Sequence, residues 1–275
     1  MTQLVNTIAD LRRALAQLRP DSVGMVPTMG ALHDGHLSLV TEARRHAAHV
    51  VVSIFVNPTQ FAPHEDFDAY PRTLDADLQK LDGAAAIVFA PAAREIYPDG
   101  DATRITVGGP AAGLESDFRP HFFSGVATVV ARLLIAASPD IAVFGEKDYQ
   151  QLLVVKRLAR DLALPCRIIG APTRRDPDGL AQSSRNAYLS PPQRQVAGRM
   201  NGILKDAATQ ARRDGIAAAE AAGAAALRTA GFDSVDYVAI RDAETLAPIT
   251  ALDRPARILA AAKIGATRLI DNFDV

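Results

Sequence analysis

Val26-Pro27-Thr28-Met29-Gly30-Ala31-Leu32-His33-Asp34-Gly35-His36 joins a short apolar run, residues 22–27, to a stretch in which Leu37, Val40, Ala43 and Ala47 recur at three- and four-residue steps. A run of that size predicts a buried strand, and the steps predict a helix with one apolar face. Gly30 and Gly35 permit tight turns between the two. His36 falls at the predicted helix N-terminus, where free N–H groups and the helix dipole favour an anion. Two imidazoles there would meet a phosphate. A metal reading for His33 and His36 lacks a third ligand nearby.

The same alternation recurs along the first half. Residues 50–56, 85–90, 141–144 and 167–169 are strand-sized apolar runs, and Leu152, Val155, Leu158 and Leu162 keep a helical step after the third of them. Repeated βαβ units predict an α/β fold, a Rossmann-like parallel sheet with helices on both faces and ligands at the carboxyl ends of its strands. Residues 1–20 read as an amphipathic helix without the basic-then-apolar order of a secretion signal. Past residue 172 the pattern changes. Ser190 caps a helix that opens on Pro191-Pro192 and runs past Met200, a second helix covers 216–229, and 235–240, 256–262 and 267–270 read as strands of a small sheet. The expected organisation is therefore residues 1–173 as the sheet domain and 174–275 as a smaller α+β domain.

Composition excludes more than it names. The 275 residues are enough for one large or two modest domains at roughly 100–200 residues each. With 48% hydrophobic and 22% charged residues the chain is not disordered. Thirty Lys+Arg against 31 Asp+Glu leave a net charge of −1, so no global basic field exists to hold nucleic acid or an anionic membrane. No run approaches the roughly 20 apolar residues of a membrane span. A lone cysteine, Cys166, forms no internal disulfide, fits a reducing compartment such as the cytoplasm, and reads as a small buried hydrophobe after Pro165.

Three further clusters carry polar chemistry. Asn57-Pro58-Thr59-Gln60-Phe61 follows a strand and offers two amides to a small polar substrate. The connection after it, residues 62–72, is long, holds Tyr70, and reads as a lid. Gly145-Glu146-Lys147-Asp148-Tyr149-Gln150-Gln151 lies between a strand and a helix, which would project Lys147 into the crevice of His36. Gln182-Ser183-Ser184-Arg185-Asn186 makes an anion clasp. No G-x-S-x-G elbow marks a serine nucleophile.

In this order, the motifs PTMGALHDGH, SIFVNPTQF, YPRT, FGEKDYQQL and DGLAQSSRNAYLS resemble the pantothenate synthetases, the pantoate:β-alanine ligases, over essentially the whole chain. H-x-G-H alone points only to the wider nucleotidyltransferase superfamily. The resemblance implies ATP-dependent joining of pantoate and β-alanine through a pantoyl adenylate, with Mg²⁺ accompanying ATP, in a cytoplasmic homodimer. It implies that Met29, Gly30, Ala31, Leu32, His33, Asp34, Gly35 and His36 line the ATP site, with His36 as proton donor or transition-state stabiliser. By the same resemblance Gly145, Glu146, Lys147 and Asp148 touch the nucleotide, Arg174 meets adenine, and Gln182, Ser183, Ser184 and Arg185 close over ATP. Gln60 and Gln151, with Asn57 and Tyr70 as neighbours, would hold pantoate beside the β-alanine site. Gln182 stands where the family usually has Met or Leu. Ala76 and Lys80 replace metal-associated polar residues of some relatives, which leaves Asp77 as the nearest magnesium candidate. Other adenylate-forming nucleotidyltransferases are the alternative enzymes. A non-catalytic nucleotide-binding module is disfavoured by the convergence of two histidines, Lys147 and Arg185.

Overall fold

The computed structural model describes residues 2–62, 65 and 67–275. Strands β1 (Gln3–Val5), β2 (Val23–Thr28), β3 (His49–Ile54), β4 (Ile87–Phe89), β5 (Ile141–Gly145) and β6 (Arg167–Ala171) form one sheet in the order β1-β4-β3-β2-β5-β6. Every pairing in it is parallel. Helices α1 (Ile8–Ala16), α2 (Asp34–His46), α3 (Leu74–Leu81), α4 (Ala93–Ile96), α5 (Glu115–Phe118), α6 (Phe122–Ala137) and α7 (Tyr149–Asp161) belong to this half of the chain. Helices α8 (Pro191–Ala197), α9 (Met200–Asp214) and α10 (Ile216–Ala230) precede an antiparallel sheet of β7 (Ser234–Asp242), β8 (Ala256–Ile264) and β9 (Thr267–Asp274). The α/β class and the small second sheet are thus as the sequence predicts.

Alternation along each strand builds the two faces of the parallel sheet. Met25, Val51 and Ala142 enter one apolar layer with α1, α6 and α7, while Val26, Val52 and Val143 enter the other with α2 and α3. Each fully buried Val, Leu or Phe in these layers contributes about 1.5–3 kcal/mol, so the faces fix the strand register strongly. From β2 the chain adds strands first toward β4 and then, after α6, on the opposite side toward β6. The carboxyl ends of the neighbours β2 and β5 therefore flank the topological switch point, where open α/β sheets bind ligands.

Several expectations need correction. Residues 1–20 are not one helix, because Gln3–Val5 pairs with β4 before α1 begins, and three edge residues are too few to show a period. The helix opened by Ser190 stops at Ala197, and α9 starts afresh at Met200. Leu162 caps α7 and is exposed instead of continuing its apolar face. Helix α6 escapes the sequence reading because it is apolar nearly all round, which removes the stripe that periodicity detects. In the lid reading of residues 62–72, Pro63, His64 and Asp66 lie outside the described residues.

The second sheet has its own core, with Leu204, Leu227, Ile240 and Ile258 at its centre. It is fastened to the first half by a small apolar cluster, Leu114, Leu153, Ala239, Leu246 and Leu259. Polar ties reinforce that seam: Arg268 Nη1 donates to both carboxylate oxygens of Glu115 at 2.8 Å, and the Arg257 guanidinium lies 3.7 Å from the Tyr149 ring centroid.

Candidate active site

The turn after β2 is built before any ligand arrives. Its backbone would leave N–H and C=O groups unpaired, and α3 supplies their partners. Asp77, fully buried, accepts from Ala31 N at 2.9 Å and Leu32 N at 2.8 Å, while Lys80 Nζ donates to Leu32 O at 2.6 Å. His33 is the N-cap of α2: its Nδ1 accepts from Gly35 N at 3.1 Å, and His36 Nδ1 accepts from His33 N at 3.4 Å. The two rings lie 4.1 Å apart. Gly35 is required here, since a Cβ would stand 2.7 Å from His33 Cε1.

Those two bonds decide the tautomers. An Nδ1 that accepts from a backbone N–H carries no proton, so each neutral ring keeps its proton on Nε2 and offers an Nε2–H donor. Burial holds both rings neutral. It pushes the His36 pKa down to about 3, with His33, Lys147 and Lys80 adding repulsion. Burial, and then Lys147, lowers His33 in the same direction.

This geometry corrects part of the sequence reading. Asp77 is a backbone clasp and not an available magnesium ligand. Among the described residues no group of three His, Cys, Asp or Glu could hold a metal ion. Met29, His33, Gly35 and His36 line the large cavity below, but Gly30, Ala31, Leu32 and Asp34 do not. Leu32 is core, and the backbone N–H groups of Gly30 and Ala31 are bonded to Thr28 Oγ1 and Asp77. These residues shape the turn.

The turn after β5 is held from the other sheet. Asn272 Nδ2 donates to Glu146 O at 3.0 Å and Lys147 O at 2.8 Å, and Arg257 Nη2 donates to Glu146 Oε2 at 3.3 Å. Glu146 therefore faces the seam and does not line the cavity, whereas Gly145, Lys147 and Asp148 do. The adjacent glutamines both line the cavity but differ in their ties. Gln150 is buried and bonded to Glu115 N, Pro110 O and Gly113 O, and Gln151 lines the cavity less buried than its neighbour.

Asn57 and Gln60 close the floor. Asn57 is 1% exposed, and its Nδ2 donates to Gln60 Oε1 at 3.1 Å and Gly125 O at 3.2 Å. Gly125 lets α6 approach this turn, because a Cβ would meet Thr59 O at 2.4 Å. Phe122, Phe123, Val126, Val129, Val130 and Leu133 of α6 provide an apolar wall. Tyr70 reaches across to the last cluster, its hydroxyl 3.4 Å from Ser184 Oγ. There the Arg175–Ala181 bridge folds residues 174–182 back on themselves, and Gln182 N donates to Arg174 O at 2.9 Å. Arg174, Gln182, Ser183, Ser184 and Arg185 all line the same space.

Together these walls enclose about 1020 Å³ between the two sheets, room for a nucleotide and a small acid. Sequence reasoning missed Arg119, which donates to Gln60 O at 3.0 Å and pairs with Glu65 at 2.6 Å and Glu115 at 3.2 Å. It also missed Asp236, Lys263 and Arg268 of the second sheet. None sits in a motif or a helical stripe, so no local signal could have found them.

The pantoate-beta-alanine ligase family model matches residues 3–274. A pantothenate synthetase of Mesorhizobium japonicum is 59% identical over 278 residues, covering 99% of this chain and 98% of that one. Another, from Rhodopseudomonas palustris, is 56% identical with the same coverage. Among solved structures, the pantothenate synthetase of Thermus thermophilus superposes with a TM-score of 0.93 at 48% identity, covering 99% of both chains. The pantoate-beta-alanine ligase of Francisella tularensis, complexed with beta-gamma ATP and beta-alanine, gives 0.85 at 35% identity, covering 100% of this chain and 98% of that one.

Proposed function

The chain belongs to the pantoate-beta-alanine ligase family and is an enzyme that forms pantothenate; on that footing we propose that it works in two steps driven by ATP. The pantoate carboxylate attacks the α-phosphorus of ATP, giving pantoyl adenylate and pyrophosphate. The amine of β-alanine then attacks the acyl carbon, giving pantothenate and AMP. A carboxylate is a poor acyl donor until adenylation supplies a leaving group, so the protein's task is to position reactants and stabilise phosphate charge.

The observation that carries this reading is the pair of neutral imidazoles whose Nδ1 atoms are held by backbone N–H groups, in one cavity with Lys147 and the Gln60 amide. His36 Nε2–H donates to the α-phosphate as its charge grows, acting as a hydrogen-bond donor and not as an acid, with His33 beside it. Lys147 neutralises phosphate charge. Met29, Gly35, Gly145 and Asp148 border the nucleotide, and Arg174, Gln182, Ser183, Ser184 and Arg185 cover it, so that residues 174–275 serve as the lid on a catalytic domain of residues 1–173. Gln60 and Gln151 hold pantoate, with Asn57 and Tyr70 behind them. Magnesium would accompany ATP and supply further neutralisation of phosphate charge.

No helix among the described residues is long and apolar enough to cross a membrane, and the net charge of −1 offers nothing to nucleic acid. We place the enzyme in the cytoplasm as a homodimer, which sedimentation would show as twice the 29.2 kDa chain. The deciding assay is pyrophosphate release. ATP with pantoate should produce it, and adding β-alanine should produce AMP in step with amide. Absence of pantoate-dependent pyrophosphate overturns the reading.

A further inference from the structure

An amide side chain presents an oxygen at one end and an N–H pair at the other, and the two ends have nearly the same shape. Which end of Gln60 meets the substrate is therefore set by its neighbours. Gln60 Oε1 accepts from Asn57 Nδ2 at 3.1 Å, which leaves Gln60 Nε2 free to donate; it lies 3.2 Å from Met29 Sδ, a weak acceptor on the cavity wall. That assignment holds only if Asn57 cannot turn round.

The far end of Asn57 settles the matter. Its Oδ1 accepts from Thr59 N at 3.3 Å, Thr59 Oγ1 at 3.0 Å and, at the shortest distance, the Tyr97 hydroxyl at 2.7 Å. Its Nδ2 faces Gly125 O, which can only accept. Reversing Asn57 would put N–H against N–H at one end and oxygen against oxygen at the other. Tyr97 is itself held rigidly. Its ring lies between Phe55, 6.2 Å away, and the Arg132 guanidinium at 4.8 Å, which is anchored to Ile96 O, Thr103 O and Asp101. Burial raises the Tyr97 pKa, so the hydroxyl keeps its proton.

We propose that Tyr97 is a positioning residue that holds in place Asn57, whose polarity is set by Thr59 N and Gly125 O, so that Asn57 keeps the Gln60 amide with its N–H toward an acceptor oxygen of pantoate. The proposal rests on the reading of Gln60 as a pantoate contact. Tyr97 touches no substrate, and nothing in the motif around Gln60 points to it; only the fold brings α4 and its C-cap beside the turn after β3.

Tyr97→Phe keeps the ring and removes the donor. The wild-type enzyme is first assayed for pantoate-dependent pyrophosphate release, whose absence overturns the functional reading itself. With that activity in hand, Tyr97→Phe should raise the KM for pantoate about fivefold, the scale of one neutral hydrogen bond, and leave the KM for ATP within twofold with unchanged circular dichroism. A merely structural role would not separate the two substrates. Asn57→Asp supplies an acceptor where a donor is needed, turns Gln60 round, and should raise the pantoate KM at least 50-fold. A pantoate KM within twofold of wild type in either variant, or a parallel rise for ATP in Tyr97→Phe, overturns the proposal.

Discussion

The turns after β2 and β5 stand side by side at the sheet's switch point and do similar work, yet they are held in different ways. The first is clasped from within its own half of the molecule, by Asp77 and Lys80 of α3 and by the imidazoles that cap α2. The second is clasped from outside, by Asn272 and Arg257 of the second sheet. The histidine end of the cavity is thus a property of the parallel sheet alone. The Lys147 end is held in its final form by the docked second sheet.

The comparison can be broken most severely at Asp77. Asp77→Ala strips two buried N–H groups of a charged partner and should destabilise the protein by about 3 kcal/mol in denaturant unfolding. A loss below about 1 kcal/mol would show that the first turn does not depend on its clasp. His36→Ala should leave the fold intact and slow pantoate-dependent pyrophosphate release by about 10²-fold or more. Near-normal release from a folded variant would remove His36 from the chemistry.

A pH series sharpens the same half. His36 has a pKa near 6.5 when unfolded and about 3 when folded, so the native state binds fewer protons than the unfolded chain between those values. Stability must then fall as pH drops below about 6.5. From this residue the loss should be about 1–2 kcal/mol between pH 8 and pH 5, and His36→Gln should flatten the profile by that amount. An unchanged slope would contradict a buried neutral imidazole. The smallest effect belongs to the second turn. Asn272→Ala should raise the KM for ATP about fivefold while the histidine turn keeps its stability profile. Equal disturbance of both turns would erase the distinction between them.

Much of this was legible in the residues. The alternation of strand-sized runs and helical steps specified the parallel sheet, and glycines beside histidines marked a turn that borders the large cavity. What escaped detection has physical causes. β1 is too short to show a period, and α6 is apolar on every side. The site's polar residues divide less legibly still. Gln150 and Gln151 are indistinguishable in sequence and both border the cavity, but Gln150 is spent on buried backbone groups as well. Asp77 and Glu146 likewise sit in functional motifs and serve as scaffolding, because the turns that present the ligand-facing groups leave backbone atoms that something must satisfy. Arg119, Arg268 and Tyr97 act across long sequence separations, where no local pattern extends.

The two clasps also differ in time. Leu32 finds Asp77 45 residues later in the chain, whereas Lys147 waits 125 residues for Asn272. At roughly 5–20 residues per second of synthesis, the first interval lasts about 2–9 s and the second about 6–25 s. On a growing chain every residue that clasps the histidine turn is therefore made well before the residue that clasps the lysine turn.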